Sequence, residues 1–186
     1  MNVILASQSP RRRELLGFFR FPFTVKVADI DETMDPSVSP VSEVARISHK
    51  KALAIPRGLE DVVIAADTIV VCQGRVLGKP RSREEATEML TLLSGRDHQV
   101  MTGLTVLKGD KVITHTEITD VQFRPLSEQE IEDYVNSKDP MDKAGAYGIQ
   151  SEGCVLVEKI DGDFFAVMGL PVARLKRALK MFVDSI

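Results

Sequence analysis

Short apolar runs alternate with amphipathic segments along most of the chain, and this alternation predicts strands and helices in turn. The β-branched run DVVIAADTIVV, residues 61–71, is typical of a central buried strand. Residues 2–6 and 23–28 predict two further strands. Residues 98–107 and 111–122 predict two strands joined by the hairpin-like turn KGDK. These segments together make up the expected sheet.

Helical spacing of the apolar residues predicts five helices, at residues 10–20, 41–55, 83–94, the segment LSEQEIEDYVNS and residues 171–183. In the first of them Ser9 is the expected N-cap and Pro10 the first helical residue. Two others open with a capping box, in which a serine and the glutamate three residues later bond each other's backbone. The pairs are Ser82 with Glu85, and Ser127 with Glu130.

The segment GCVLVEKIDGDFFAVMGLP predicts two strands around the turn Asp161–Gly162. Because both βα units and hairpins occur, we expect an α/β fold with a mixed sheet flanked by helices. The sequence contains no repeat, low-complexity tract or obvious linker, so we expect a single domain over residues 1–186.

Composition narrows the function classes. The chain is 44% hydrophobic and carries a net charge of −3, which disfavours a general binder of nucleic acids or anionic membranes. With 5% aromatic residues and no tryptophan, it also lacks the stacking surface of a single-strand binder. No apolar run reaches the roughly 20 residues of a membrane span, and the run in MNVILASQ is too short for a signal peptide. Cys72 and Cys154 fit no zinc spacing, and we expect buried thiols in a reducing, cytoplasmic compartment.

Three arginines, Arg11–Arg13, follow Pro10 at the start of the first helix. A helix N-terminus carries about +0.5 of a charge, so cations are disfavoured there. One interpretation is that the arginines simply turn into solvent. The other is an anion site, because a turn with the hydroxyls of Ser7 and Ser9 and a helix start can bind phosphate, which arginine matches well.

Two charged residues interrupt apolar patterns. Asp67 lies inside the predicted central strand, where a carboxylate is costly unless it is paired, hydrogen-bonded or metal-bound. It either caps a neighbouring loop or is a rigidly held catalytic carboxylate. Lys51 shares the apolar stripe of the second helix, and either extends to the edge of the core or faces a site.

Three loop features carry weaker signals. The cluster DIDE contains Glu32, which together with Asp67 could hold a hard divalent cation. Lys79 lies in the loop GKP, where lysines are usually solvated. The small-residue segment DKAGAYGIQ allows a flat ligand to approach, and its Gln150 offers both a donor and an acceptor to a base edge. The whole set suits the metal-assisted cleavage of a phosphoanhydride.

A series of motifs in order resembles the Maf family of nucleotide pyrophosphatases: LASQSPRRRELL, DIDE, AADTIVV, GKP, LSGRDHQVMTG, DKAGAYGIQ and GDFFAVMGLP. The resemblance implies a fold related to that of the inosine triphosphate pyrophosphatases, with two lobes around a central cleft. It implies hydrolysis of a nucleoside triphosphate to the monophosphate and pyrophosphate, with a divalent cation, Mg²⁺ or Mn²⁺. It also implies a cytoplasmic homodimer.

The family resemblance assigns a role to most of the singled-out residues. Asp67 is the expected general base for the water that attacks the α-phosphorus, and it shares the metal with Glu32. Lys51 and Lys79 balance charge on the triphosphate. Phosphate binding falls to Ser7, Ser9 and Arg12. Arg13 occupies a variable position of the family and receives no role.

Three positions assign the chain to a branch of the family. Members acting on dTTP and UTP carry arginine after SP, threonine after the catalytic aspartate and glutamine at the end of YGIQ, and this chain has Arg11, Thr68 and Gln150. A sibling branch, similar to 7-methyl-GTP pyrophosphatases, carries tryptophan, glutamine and glutamate there. The expected substrates are therefore dTTP and UTP, with modified pyrimidine nucleotides as further candidates. The alternative is a non-catalytic nucleotide-binding regulator of cell division.

Overall fold

A computed structural model describes residues 2–27 and 29–182 of the chain. Seven strands occur in this part: β1 (Val3–Leu5), β2 (Phe23–Val25), β3 (Val62–Cys72), β4 (Arg75–Leu77), β5 (Asp97–Lys108), β6 (Lys111–Phe123) and β7 (Val157–Asp161). The α-helices are α1 (Pro10–Gly17), α2 (Pro40–Leu53), α3 (Arg83–Leu93), α4 (Glu128–Asn136), α5 (Phe164–Met168) and α6 (Val172–Leu179). Short 3₁₀ turns lie at Asp139–Asp142, Ala144–Ala146 and Glu152–Leu156.

The strands form one sheet in the order β2-β1-β3-β5-β6-β7, with β4 paired to β3. β1 is parallel to both β2 and β3, whereas β4 is antiparallel to β3 and β7 is antiparallel to β6. Parallel and antiparallel pairs therefore coexist, which confirms the predicted mixed sheet. β3 is buried along most of its length, as its β-branched sequence predicts, and its neighbour β5 carries a buried run of similar kind.

The described residues pack as two compact units. The first takes the residues up to Asp67, Thr102–Glu117 and those from Gly169 onward. The second takes Thr68–Met101 and Ile118–Met168. The single domain over residues 1–186 remains a prediction.

Each unit has an apolar core of its own. In the first unit, β1 and β3 pack against the end of α2 through Ile4, Ala6, Ala52, Ile55, Val63, Ala65 and Leu107. In the second unit, α3 and α4 bury Leu90, Leu93, Ile131 and Val135 around the aromatic side chains of Phe123 and Tyr147. No helix among residues 2–27 and 29–182 is long and apolar enough to cross a membrane.

Serine caps begin four of the helices, and at three of them, α1, α3 and α4, the sequence predicts the serine. Ser9 accepts from the N–H of Arg12, and α1 starts at Pro10. The capping box of Ser127 and Glu130 is complete. At α3 the serine half forms, since Ser82 accepts from the N–H of Glu85, but the Glu85 carboxylate accepts from the N–H of Arg81. The fourth cap is Ser39, one residue ahead of α2.

Several sequence expectations are wrong in detail. The second strand predicted after Asp161 is helix α5, because the Asp163 carboxylate accepts from the N–H groups of Phe165 and Ala166 and so starts a helical turn. Cys72 is buried as expected, but Cys154 lies exposed in a 3₁₀ turn. Residues 28 and 183, within a predicted strand and a predicted helix, lie outside the described residues.

Candidate active site

The turn before α1 is tied together by its own hydroxyls and by Arg12. The Ser7 hydroxyl accepts from the N–H of Ser9 at 3.2 Å and from Nη1 of Arg12 at 3.2 Å. Nε of Arg12 donates to the carbonyl oxygen of Gly169 at 2.7 Å. The guanidinium thus lies over the turn, and two of its nitrogens, Nε and Nη1, hold it in this orientation.

The charge of Arg12 is balanced by nearby carboxylates. Burial of its guanidinium is the largest effect and lowers the pKa of Arg12, while the negative charges of Asp67 and Glu32 oppose that shift and the positive charge of Arg11 adds to it. Arg12 is half-buried, whereas Arg13 is exposed. The cation that would otherwise face the positive end of α1 therefore lies in the field of two acidic side chains.

Lys51 joins the two acidic residues. Its ammonium nitrogen lies 2.7 Å from Oδ1 of Asp67 and 2.7 Å from Oε2 of Glu32. The side chains of Lys51 and Asp67 are each 12% exposed, whereas that of Glu32 is 53% exposed. Asp67 is held by the centre of β3, Lys51 by the last turn of α2 and Glu32 by the loop before that helix. A rigid strand and a helix thus support the two least exposed groups.

The donor set of this cluster suits one kind of metal ion. Oxygen atoms of two carboxylates converge on a single nitrogen, but no group of three or more His, Cys, Asp or Glu side chains in the described residues could hold a metal. Mg²⁺ is commonly held by one or two carboxylates and completes its shell with waters and substrate phosphates. Asp67 and Glu32 fit that pattern and do not form an all-protein cage.

Arg11, half-buried on α1, also lies in the first unit, whereas the three remaining predicted site residues belong to the second. Thr68 is half-buried and directly follows Asp67 on β3, while Lys79 and Gln150 are both exposed on loops. The two loops touch, since the N–H of Gly145 donates to the carbonyl of Gly78 at 3.0 Å. Gly145 has a φ of 68°, and a Cβ there would lie 2.7 Å from Cγ2 of Val70, so this contact requires glycine.

Sequence reasoning missed the polar network that supports the loop of Gln150. Oδ2 of Asp139 accepts from the hydroxyls of Tyr134 and Ser151, each at 2.7 Å, and its Oδ1 accepts from Nζ of Lys143 at 2.9 Å. Burial would raise the pKa of Asp139, but the bonds from Ser151, Tyr134 and Lys143 outweigh it and lower that pKa. The spacing of four residues between Asp139 and Lys143 is the sequence feature that could have indicated their ion pair.

Arg12 also has a partner that no motif could reveal. The acceptor of its Nε is a backbone carbonyl, that of Gly169, which lies far along the chain. Every residue type carries such a carbonyl, so only the folded structure identifies it. The structure thus brings Ser7, Ser9, Arg12, Glu32, Lys51 and Asp67 together in the first unit.

The arrangement is that of a site for a polyanion: cations and hydroxyls at a helix start, beside carboxylates able to hold a hard cation. Comparison with known proteins agrees with this class, and the chain belongs to the family of Maf-like proteins, whose model matches residues 2–182. The resemblance drawn from the motifs is confirmed.

Two curated relatives are similar along almost the whole chain. A dTTP/UTP pyrophosphatase of Bacillus cereus is 48% identical over 182 residues, covering 97% of this chain and 95% of its own. A dTTP/UTP pyrophosphatase of Bacillus velezensis is 50% identical over 182 residues, covering 97% of this chain and 96% of its own.

A solved structure supports the fold. A HAM1 protein from Coxiella burnetii matches with a TM-score of 0.53 at 15% identity, over 97% of this chain and 99% of that one. At that identity the likeness is one of fold, and it confirms the predicted mixed α/β architecture.

Proposed function

We propose that this protein hydrolyses dTTP and UTP to the nucleoside monophosphate and pyrophosphate. Both curated relatives described above carry that activity in their names, at 48% and 50% identity. The observation in the fold that carries the proposal is the ion-pair cluster of Asp67, Lys51 and Glu32 in the first unit. Modified pyrimidine nucleotides are further candidate substrates.

Asp67 is the proposed general base. Its carboxylate takes a proton from a water molecule as the water oxygen bonds to the α-phosphorus, and the bond from that phosphorus to the bridging oxygen breaks. The electron pair of that bond leaves with the pyrophosphate. The support for this role is the position of Asp67 on a buried strand, where its side chain is only 12% exposed and is held by Lys51.

A divalent cation, Mg²⁺ or Mn²⁺, belongs to the proposal. Glu32 and Asp67 would hold it, and when bound it supplies charge neutralisation for the phosphates and a more acidic water. The ammonium of Lys51 contacts the same two carboxylates, so it is the group that must share them with the cation.

The remaining cations and hydroxyls are assigned to the triphosphate. Ser7 and Ser9 offer a turn at a helix start, and Arg12 is held over that turn by Ser7 and Gly169. Lys51 and Lys79 balance the negative charge that grows on the departing pyrophosphate.

Selection of the pyrimidine is assigned to Arg11, Thr68 and Gln150. Gln150 lies exposed at the end of its loop, and its amide presents both a donor and an acceptor. The N–H of Gly148, two residues before Gln150, donates to the hydroxyl of Tyr134, and the hydroxyl of Ser151, the next residue, donates to Asp139, so the loop is bonded on both sides of Gln150. We also propose that the chain acts as one domain, in the cytoplasm, as a homodimer without nucleic-acid or membrane partners.

A panel of nucleoside triphosphates tests the proposal. Each is incubated with the protein and Mg²⁺, Mn²⁺ or a chelator, and pyrophosphate release is measured. We expect release from dTTP and UTP that depends on the metal, and much less from GTP or ATP. Release no greater than in a protein-free control would contradict the proposal and favour a non-catalytic nucleotide-binding regulator.

A further inference from the structure

The loop that carries Glu32 is tied to helix α2 by an arginine and a glutamate. Nε and Nη2 of Arg46 each lie 2.6 Å from one carboxylate oxygen of Glu43, which makes a two-pronged ion pair. Nη2 of Arg46 also donates to the carbonyl of Thr33 at 3.0 Å. Oε2 of Glu43 accepts from the N–H of Asp35 at 2.7 Å. The pair therefore contacts the backbone of the loop at two places.

The Glu43 half of this ion pair is buried, whereas the side chain of Arg46 is 35% exposed. The side chain of Glu43 is 1% exposed, and a buried carboxylate is tolerated only when it is bonded throughout. Hydrogen bonds from Arg46 and then from the N–H of Asp35 lower the pKa of Glu43 to about 2. The carboxylate is therefore charged at neutral pH.

Glu32 is more exposed than Asp67 and Lys51 and has no strand or helix of its own to support it. Its side chain is 53% exposed, and it lies on a loop rather than on a strand or helix. Its neighbour Thr33 is held on both sides, because the N–H of Thr33 donates to Oδ1 of Asp31 at 2.9 Å while its carbonyl accepts from Arg46. The backbone next to Glu32 is thus bonded through both the N–H and the carbonyl of Thr33.

We propose that Glu43 and Arg46 are positioning residues, which fix the backbone of Thr33 and Asp35 and so hold the Glu32 carboxylate beside Asp67 for a divalent cation. The identity of Glu32 as a cation ligand rests on the proposed function. The other part of the proposal, that Glu43 and Arg46 order the loop of Glu32, rests on their contacts with Thr33 and Asp35 alone.

Two variants test the positioning role. Glu43→Gln keeps the shape but loses the charge that pairs with Arg46. Arg46→Lys keeps the charge but loses the planar fork that reaches Glu43 and Thr33 together. Three quantities are measured for each: amide hydrogen exchange of residues 31–37, binding of Mn²⁺ by electron paramagnetic resonance, and the Mg²⁺ dependence of KM and kcat.

We expect faster exchange over residues 31–37 in both variants and Mn²⁺ binding about 10–100-fold weaker, the usual cost of removing a group that orients a metal ligand. The rate at saturating Mg²⁺ stays close to that of the wild type, because Asp67 and Lys51 are untouched. Arg46→Lys is expected to be the milder variant, and it carries the test if Glu43→Gln does not fold.

Two control variants separate positioning from general stability. Ser39→Ala removes the N-cap of α2, and its contact with Ser42, without touching Thr33 or Asp35. Glu130→Gln breaks another short pair, with Arg124 at 2.7 Å, in the second unit. Both are expected to leave Mn²⁺ binding unchanged.

Unchanged Mn²⁺ affinity in both Glu43→Gln and Arg46→Lys overturns the proposal, whatever the exchange of residues 31–37, and so does a wild-type protein that binds no Mn²⁺. A wild-type protein that binds Mn²⁺ and loses it in the variants, yet releases no pyrophosphate, supports the positioning role and contradicts the proposed function. The two failures are therefore distinguishable.

Discussion

The ammonium nitrogen of Lys51 lies 2.7 Å from Oδ1 of Asp67, in the middle of a strand that is apolar apart from Asp67 and Thr68. The same nitrogen lies 2.7 Å from Oε2 of Glu32, so one cation compensates two carboxylates. If Glu32 and Asp67 hold a divalent cation, as proposed, the ammonium of Lys51 must share these two carboxylates with it.

Replacing Lys51 by methionine keeps the aliphatic stem and removes the cation. We expect Lys51→Met to lower the free energy of unfolding by about 1–3 kcal/mol, because a part-buried carboxylate loses its partner. Mg²⁺ should then stabilise the variant more than the wild type, since no ammonium competes for Asp67 and Glu32. Urea unfolding with chelator and with Mg²⁺ measures both effects.

The matched control for that experiment is Lys108→Met. Lys108 pairs at 3.0 Å with Glu60, whose side chain is 83% exposed, and such surface pairs contribute roughly 0–1 kcal/mol. Equal stabilisation of wild type and Lys51→Met by Mg²⁺ would show that the ammonium and the cation do not share these carboxylates.

Arg12 is expected to act through the planar geometry of its guanidinium group as well as through its charge. Arg12→Lys cannot hold Ser7 and Gly169 together. We expect kcat/KM for UTP to fall about 10–100-fold, mostly through KM, since a hydrogen bond to a charged group is worth roughly 1.5–3 kcal/mol. Steady-state kinetics check this, with Arg13→Lys, at an exposed position, as the control that should behave like the wild type.

His98 should make the protein less stable in mild acid. It is 3% exposed, and burial lowers the pKa of His98 from 6.5 to about 4, against weaker opposing effects of the Arg96 backbone and the Asp97 charge. Between these two values the unfolded chain holds the extra proton, so stability falls as the pH falls. The free energy of unfolding is expected to fall by roughly 3 kcal/mol in total, at about 1.4 kcal/mol for each unit by which the pKa of His98 is lowered.

Unfolding measured between pH 7 and pH 4 tests that slope, in the wild type and in His98→Gln. The glutamine amide can still reach the hydroxyl of Tyr147, which lies 2.9 Å from Nε2 of His98. The variant should be less stable at pH 7 and should lose less stability towards pH 4. Parallel curves for the two proteins would assign the acid sensitivity to other groups.

Asp67→Asn should remove turnover and keep the fold. The amide has the same volume as the carboxylate but is not a base, so kcat on dTTP is expected to fall about 10²–10⁴-fold. Circular dichroism should remain that of the wild type. Asp61→Asn serves as the control, because Asp61 precedes β3 and bonds the N–H of Gly58. Near-normal turnover in Asp67→Asn would refute its role as the base.

The sequence predicts the local parts of the fold well because local chemistry determines them. Ser9 and Pro10 start α1 as expected, and the stripe that includes Lys51 does direct this lysine to the cluster. Asp67 could be singled out because it is a carboxylate in an apolar run. In these cases the signal lies within a few residues of the group concerned.

The parts that escaped prediction depend on distant or competing interactions. The run FFAVM after Asp163 suits a strand or a helix, and the cap formed by the Asp163 side chain decides between them. The contact of Arg12 with Gly169 joins residues far apart in sequence, through a backbone atom. Nothing in the sequence of α2 singled out Glu43, and only the folded structure shows that its buried carboxylate is bonded by Arg46 and by the N–H of Asp35.

Hydrolysis of UTP in water enriched in oxygen-18 tests the central claim most directly. If water attacks the α-phosphorus, as proposed with Asp67 as the base, one labelled oxygen appears in the phosphate of UMP and none in pyrophosphate. Mass spectrometry of both products measures the label. Label in pyrophosphate, or formation of UDP with labelled inorganic phosphate, would contradict the account.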